Sequence, residues 1–157
     1  MTAIRRGRQA GLTYLEVMIT IAILLILAAA ALPMVRTAVK RQKELELRSA
    51  LREMRNAIDN YKKYADQGLI PVEGLQSEGY PADLETLVDG VSQVGAVDKK
   101  IRFLRRIPKD PMTSSYEWGL RSLQDDPNSL SWGRENVYDV YTTSEATGLD
   151  GTPYNTW

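Results

Sequence analysis

Apolar positions along the 157-residue chain fall into three successive patterns. From Leu12 to Leu32 the run is nearly unbroken, interrupted by Thr13, Tyr14, Glu16 and Thr20. At about 1.5 Å per residue, a helix of that length covers a hydrocarbon core about 30 Å thick. Residues 12–32 are therefore expected to form a transmembrane helix. Beyond Pro33 the period changes. Leu47, Ala50, Leu51, Met54, Ala57, Ile58, Tyr61 and Ala65 recur every three or four positions, with charged residues between them. That spacing predicts a helix buried along one stripe. No glycine interrupts Leu12 to Gln67, so residues 33–66 are expected to continue the same helix as its amphipathic half. Pro33 lacks a donor N–H and crowds the carbonyl of Ala29, which predicts a kink there.

The third pattern is short and broken. Gly68, Pro71, Gly74, Gly79 and Pro81 mark a loop. "YPADLETLVDG" predicts a short helix: Asp83 caps it, Leu84, Leu87 and Val88 face inward, and Gly90 stops it. "KKIRFLRRIPKDP" contains an extended run ended by Pro108 and Pro111. "YEWGLRSL" and "NVYDVYTT", rich in aromatic and β-branched residues, predict two more strands. Residues 67–157 hold little core of their own and gain one by packing on the helix stripe. The expected class is α+β, a long amino-terminal helix packed on a small antiparallel sheet.

Composition narrows the chemistry. The chain has no Cys and no His, which removes disulfides, thiolate nucleophiles and the commonest general base. An enzyme is not expected. Net charge is zero but unevenly placed: residues 1–65 carry twelve Lys/Arg and five Asp/Glu, a balance of +7, and residues 66–157 balance at −7. Self-association by complementary charge and ordinary solvated faces both fit this division. Lys99, Lys100, Arg102, Arg105, Arg106 and Lys109 cluster around Phe103. Six charges near one strand read more readily as a solvated face or ion-pair partners than as a nucleic-acid patch, and no nucleic-acid partner is expected. Asp139, Glu145 and Asp150, with Ser144, are the carboxy-terminal oxygen donors. Calcium takes six to eight oxygens, and nothing in the pattern holds two of these acids on a rigid element.

Glu16 is the anomaly in the apolar run. Arg5, Arg6 and Arg8 before it and the alanines at its end suit a cleavable signal peptide. A helix continuous into the amphipathic half argues against one. A charge inside a membrane helix costs about 2.5–3.5 kcal/mol at the centre and usually has a partner. Thr13-x-x-Glu16 also fits a capping box, in which Glu16 reaches back to a free amide. Arg36, Lys40, Arg41 and Lys43 balance the arginines on the other flank, so counting charges leaves the orientation open.

Together these residues carry a family likeness. A short basic leader, Gly11, the apolar Leu12, Glu16 as the fifth residue after the glycine, and Pro33 resemble class A prepilins and type II secretion pseudopilins. Leu12 stands where Phe is usual. "YPADLETLV", "FLRRIPKDPM", "VYDVYTT" and Trp157 resemble, in order and spacing, the globular domain of the major pseudopilins. The absence of Cys leans away from the many type IV pilins with a carboxy-terminal disulfide loop. The resemblance implies a type IV pilin-like fold and a cytoplasmic leader at residues 1–11. It implies that a prepilin peptidase cuts between Gly11 and Leu12 and methylates the amino group of Leu12. It further implies filament assembly through Glu16 and an inner-membrane anchor with residues 67–157 in the periplasm. The implied partners are further copies of the chain, the peptidase, an inner-membrane assembly platform, minor pseudopilins and membrane lipid. The family's calcium loop has only Asp150 as a candidate ligand in "SEATGLDGTPYNTW", without the usual acidic run before the final Trp. The alternative within the same architecture is a type IV pilin of a surface pilus serving motility, adhesion or DNA uptake. Outside it stands a plain anchored binding protein, for which Glu16 would be dispensable.

Overall fold

The computed structural model describes residues 11–72, 74 and 76–157, with the side chains of 30–34, 97 and 98 outside that description. One helix, α1, runs Tyr14–Asp66. The chain divides into two compact units between Val39 and Lys40. In the first, helical side chains from Tyr14 to Ala29 are exposed to solvent, Leu12, Leu24 and Ile26 by 74, 64 and 70%. Among the described residues no helix is long and apolar enough to cross a membrane. The side chains of residues 30–32 of the expected span and of Pro33, and the leader residues 1–10, lie outside the described residues.

The second unit, Lys40–Trp157, holds the core. Every apolar residue of the expected stripe from Leu47 to Ala65 is buried, and Leu47, Met54 and Ile58 are fully so. Each such side chain contributes about 1.5–3 kcal/mol through removal from water. This is why a helix studded with charge on its other faces stays in place. Gly68, at φ 67°, ends the helix. Its N–H bonds to the Ala65 carbonyl and that of Leu69 to Tyr64.

Helix α2, Leu84–Asp89, forms as its caps predict: the Asp83 carboxylate accepts from the Thr86 N–H at 2.7 Å, and Gly90 closes the end at φ 78°. Strands β1, Val91–Gln93, and β2, Ala96–Ile101, follow as an antiparallel hairpin. Strand β3, Gly119–Arg121, pairs antiparallel with β4, Asp139–Tyr141, Leu120 opposite Val140. The architecture is thus α+β, a long helix packed on small antiparallel sheets.

Three expectations change. The single small sheet is two separate two-stranded sheets. The run from Lys99 is extended only to Ile101. Beyond it the Phe103 and Leu104 N–H groups both bond to the Leu87 carbonyl, which turns the chain onto α2 instead of along a strand. Strand β1 has no expected counterpart, because three half-buried residues show no alternation to read.

Candidate functional site

Helix α1 begins at a built cap. The Thr13 carbonyl accepts from Val17 N–H at 3.1 Å, and Thr13 Oγ1 accepts from Glu16 N–H at 3.3 Å. The reciprocal arm of the capping box is not made, and among the described residues the Glu16 carboxylate has no hydrogen-bond or ion-pair partner. It is exposed in a field of exposed apolar side chains, Leu15 and Val17 beside it and Ile19 and Ile23 beyond. Gly11 and Leu12 precede the helix in irregular backbone, and both are exposed. The Gly11–Leu12 bond is thus open to an enzyme. Three chemical features meet over six residues: an accessible peptide bond, a helix start just behind it, and a carboxylate lacking a cation. A free amino group on Leu12, with an ordinary pKa near 8, is the kind of cation such a carboxylate takes.

Asp150 lies far from this segment in sequence, in the carboxy-terminal loop, and its ligands are supplied by the protein. Its Oδ1 accepts from the Thr152 N–H at 2.9 Å and hydroxyl at 2.7 Å, and Arg48 Nη2 stands 3.5 Å from Oδ2. The Thr152 hydrogen bonds, then the Arg48 charge, hold this carboxyl below the usual range. The loop is also fastened to α1 by Glu44, whose Oε1 accepts from Leu149 N–H at 2.7 Å and from the Tyr154 hydroxyl at 2.9 Å. Burial, then the Glu44 hydrogen bond, pushes the Tyr154 hydroxyl up to about 12. Trp157 Nε1 donates to Thr152 Oγ1, and its ring packs edge-on to Tyr154 with the Arg48 guanidinium 4.2 Å from its centre. Asp150, the candidate calcium ligand, thus faces a guanidinium and not a second carboxylate. No cluster of three or more acids that could hold a metal occurs among the described residues.

Asp139 and Glu145, the other carboxy-terminal acids, part company. Glu145 is exposed. Asp139 Oδ1 receives Arg55 Nε at 2.7 Å, and Oδ2 receives Arg121 Nη1 at 3.4 Å. Arg55 Nη2 also donates to the carbonyls of Val140 and Trp157, at 3.0 and 2.8 Å. Arg121 lies over the Tyr141 ring, 4.1 Å from its centre. This network joins α1, β3, β4 and the segment at Trp157. Sequence reasoning missed Glu44, Arg48 and Arg55; the signal was there, since they lie four and seven residues apart beside the apolar stripe. The basic cluster from Lys99 to Lys109 is exposed, and none of its members forms an ion pair among the described residues.

Residues 6–32 match the family model of the prokaryotic N-terminal methylation motif. The chain carries a type IV pilin-like prepilin signal. The matched segment encloses Gly11, Leu12 and Glu16, the three residues brought together at the start of α1. No curated protein and no solved structure matches the chain.

Proposed function

We propose that the chain is the major pseudopilin of a type II secretion system, a structural subunit and not a catalyst. A prepilin peptidase removes residues 1–11 and methylates Leu12. The apolar run anchors the protein in the inner membrane with the second unit in the periplasm. The anchored subunits then polymerise, with an assembly platform and minor pseudopilins, into a filament that drives secretion. The observation that carries this reading is the match of residues 6–32 to the methylation motif, which includes an exposed Gly11 and a Glu16 whose carboxylate has no partner among the described residues. Cleavage at Gly11 creates the ammonium that Glu16 lacks. In a filament the amino group of one subunit meets Glu16 of a neighbour, while apolar side chains such as Leu24 and Ile26, exposed in the single chain, exchange lipid for packing between subunits. Secretion rather than a surface pilus is favoured by the likeness of "FLRRIPKDPM" and "VYDVYTT" to major pseudopilins, and by the absence of Cys.

Two measurements test it. Gly11→Leu leaves the leader attached, and intact-mass spectrometry of the membrane-bound protein reads the result; a normal cut before Leu12 in that variant refutes the processing step. Deleting the gene abolishes secretion and leaves twitching intact; the reverse pattern assigns the chain to a surface pilus.

A further inference from the structure

Six of the eight Lys/Arg between residues 66 and 157 lie at Lys99, Lys100, Arg102, Arg105, Arg106 and Lys109, and no acid falls among residues 99–109. The rest of that region sets fifteen acids against Arg121 and Arg134. The six cations are exposed, and the ion pairs of the described residues use Arg48, Arg55, Lys62 and Arg121 instead. Their backbone is nonetheless pinned. Phe103 and Leu104 hang from the Leu87 carbonyl, and Leu104 is buried. The Phe103 ring packs edge-on to Tyr61 and Tyr64, and Trp118 Nε1 donates to the Pro108 carbonyl at 2.9 Å. Arg105, Arg106 and Lys109 line, with Glu53, Pro108 and Tyr116, a cleft of about 390 Å³. Three cations share this cleft with one carboxylate, Glu53, so positive charge is in excess there and costs repulsion; a partner that supplies further carboxylates relieves it.

The same chain presents that chemistry elsewhere. Glu85 and Asp89 are exposed one turn apart on α2, without an ion pair among the described residues, beside a groove of about 330 Å³ that they line with Asp83 and Lys100. They sit on a rigid element, whereas Asp126, Glu135 and Glu145 sit on loops.

We propose that the face formed by Arg105, Arg106 and Lys109 docks the carboxylates of a second copy of this chain, Glu85 and Asp89 first among them. In a filament the contact is heterologous, each copy's basic face taking the α2 acids of the next, whereas a reciprocal two-fold pairing of the same faces would close at a dimer and give no ladder. The proposal rests on the filament reading and adds to it a contact between globular units that sets which neighbour is accepted.

The absence of Cys makes the test clean. In the full-length chain, Glu85→Cys with Lys109→Cys gives, on oxidation of membranes, a ladder of dimers, trimers and higher species, while either single variant stops at dimers. Arg105→Glu with Arg106→Glu lowers sheared filament by at least about tenfold, and adding Glu85→Arg with Asp89→Arg restores it. Filaments with no ladder, or a charge swap that restores nothing, overturn the contact and leave the filament reading standing. Absence of filaments from the unsubstituted chain overturns both. Unchanged filaments in the Arg105/Arg106 variant, with lost retention of duplex DNA, would assign the face to nucleic acid instead.

Discussion

At the scale of single residues, two side chains carry most of the chemistry. Among the described residues the Glu16 carboxylate is an acceptor without a donor, and two unit charges 4 Å apart attract by about 4 kcal/mol at an effective dielectric of about 20. Losing one member of a buried pair costs about 3–5 kcal/mol, so Glu16→Ala should leave the protein inserted and cleaved while sheared filament falls at least about tenfold. Normal filament yield would remove Glu16 from assembly. Tyr154 works by staying protonated. Its hydroxyl is raised from 10.0 to about 12, first by burial and then by its bond to Glu44. Above pH 10 the unfolded chain releases this proton and the folded chain keeps it, so the stabilisation, complete below pH 10, is lost as pH rises toward 12. Melting curves across that range should steepen in their decline for the parent and flatten for Tyr154→Phe. Parallel slopes would show that the fold does not hold the Tyr154 hydroxyl protonated.

At the scale of elements, the turn from α2 into β1 is decided by one glycine. Gly90 has φ 78°, and a Cβ there would sit 2.7 Å from both Arg102 Cγ and the Ile101 carbonyl oxygen. Arg102 can swing away; the backbone of β2 cannot. Gly95, in the β1–β2 turn, has φ 82° but open space around its missing Cβ. Alanine at Gly95 should therefore cost only the backbone penalty, about 1 kcal/mol, while Gly90→Ala should cost about 2 kcal/mol or more. For a chain of this size that places the melting temperature of Gly90→Ala about 2–4 °C below that of Gly95→Ala. Equal melting temperatures would mean that β2 yields. The long helix was legible because its stripe repeats over eight positions from Leu47 to Ala65, each of them buried. Strands of three residues, such as β1 and β3, offer one or two alternations and no more. Their pairing is set by what lies beneath them.

At the scale of the molecule, the carboxy-terminal loop is tied to α1 by organic groups. Arg48 faces Asp150 and Trp157, and Glu44 receives Leu149 and Tyr154. A cation bound at a hundred times its Kd would add about 2.7 kcal/mol. Melting of the full-length protein should instead be the same in calcium and in EDTA, and Arg48→Gln should lower it in both. A rise of several degrees with calcium would restore Asp150 as a metal ligand.

The sequence by itself determined whatever depends on neighbours along the chain. Helix periodicity, the Asp83 and Thr13 caps, the stop at Gly90 and the order Gly11, Leu12, Glu16 are local, since each rests on residues within a few positions of one another. Tertiary structure alone decided which charges meet. Arg55 and Asp139 are 84 positions apart, and Glu44 and Tyr154 are 110. No periodicity records such distances. In the sequence Asp150 was a lone candidate ligand, and the fold sets Arg48 beside it. Glu16 looked like half of a capping box, and the fold leaves its carboxylate with no partner among the described residues. The basic cluster read as a solvated face or a set of ion-pair partners, and the fold leaves it exposed. Among the described residues its cations form no ion pair, although packing of Phe103 and Leu104 fixes their backbone.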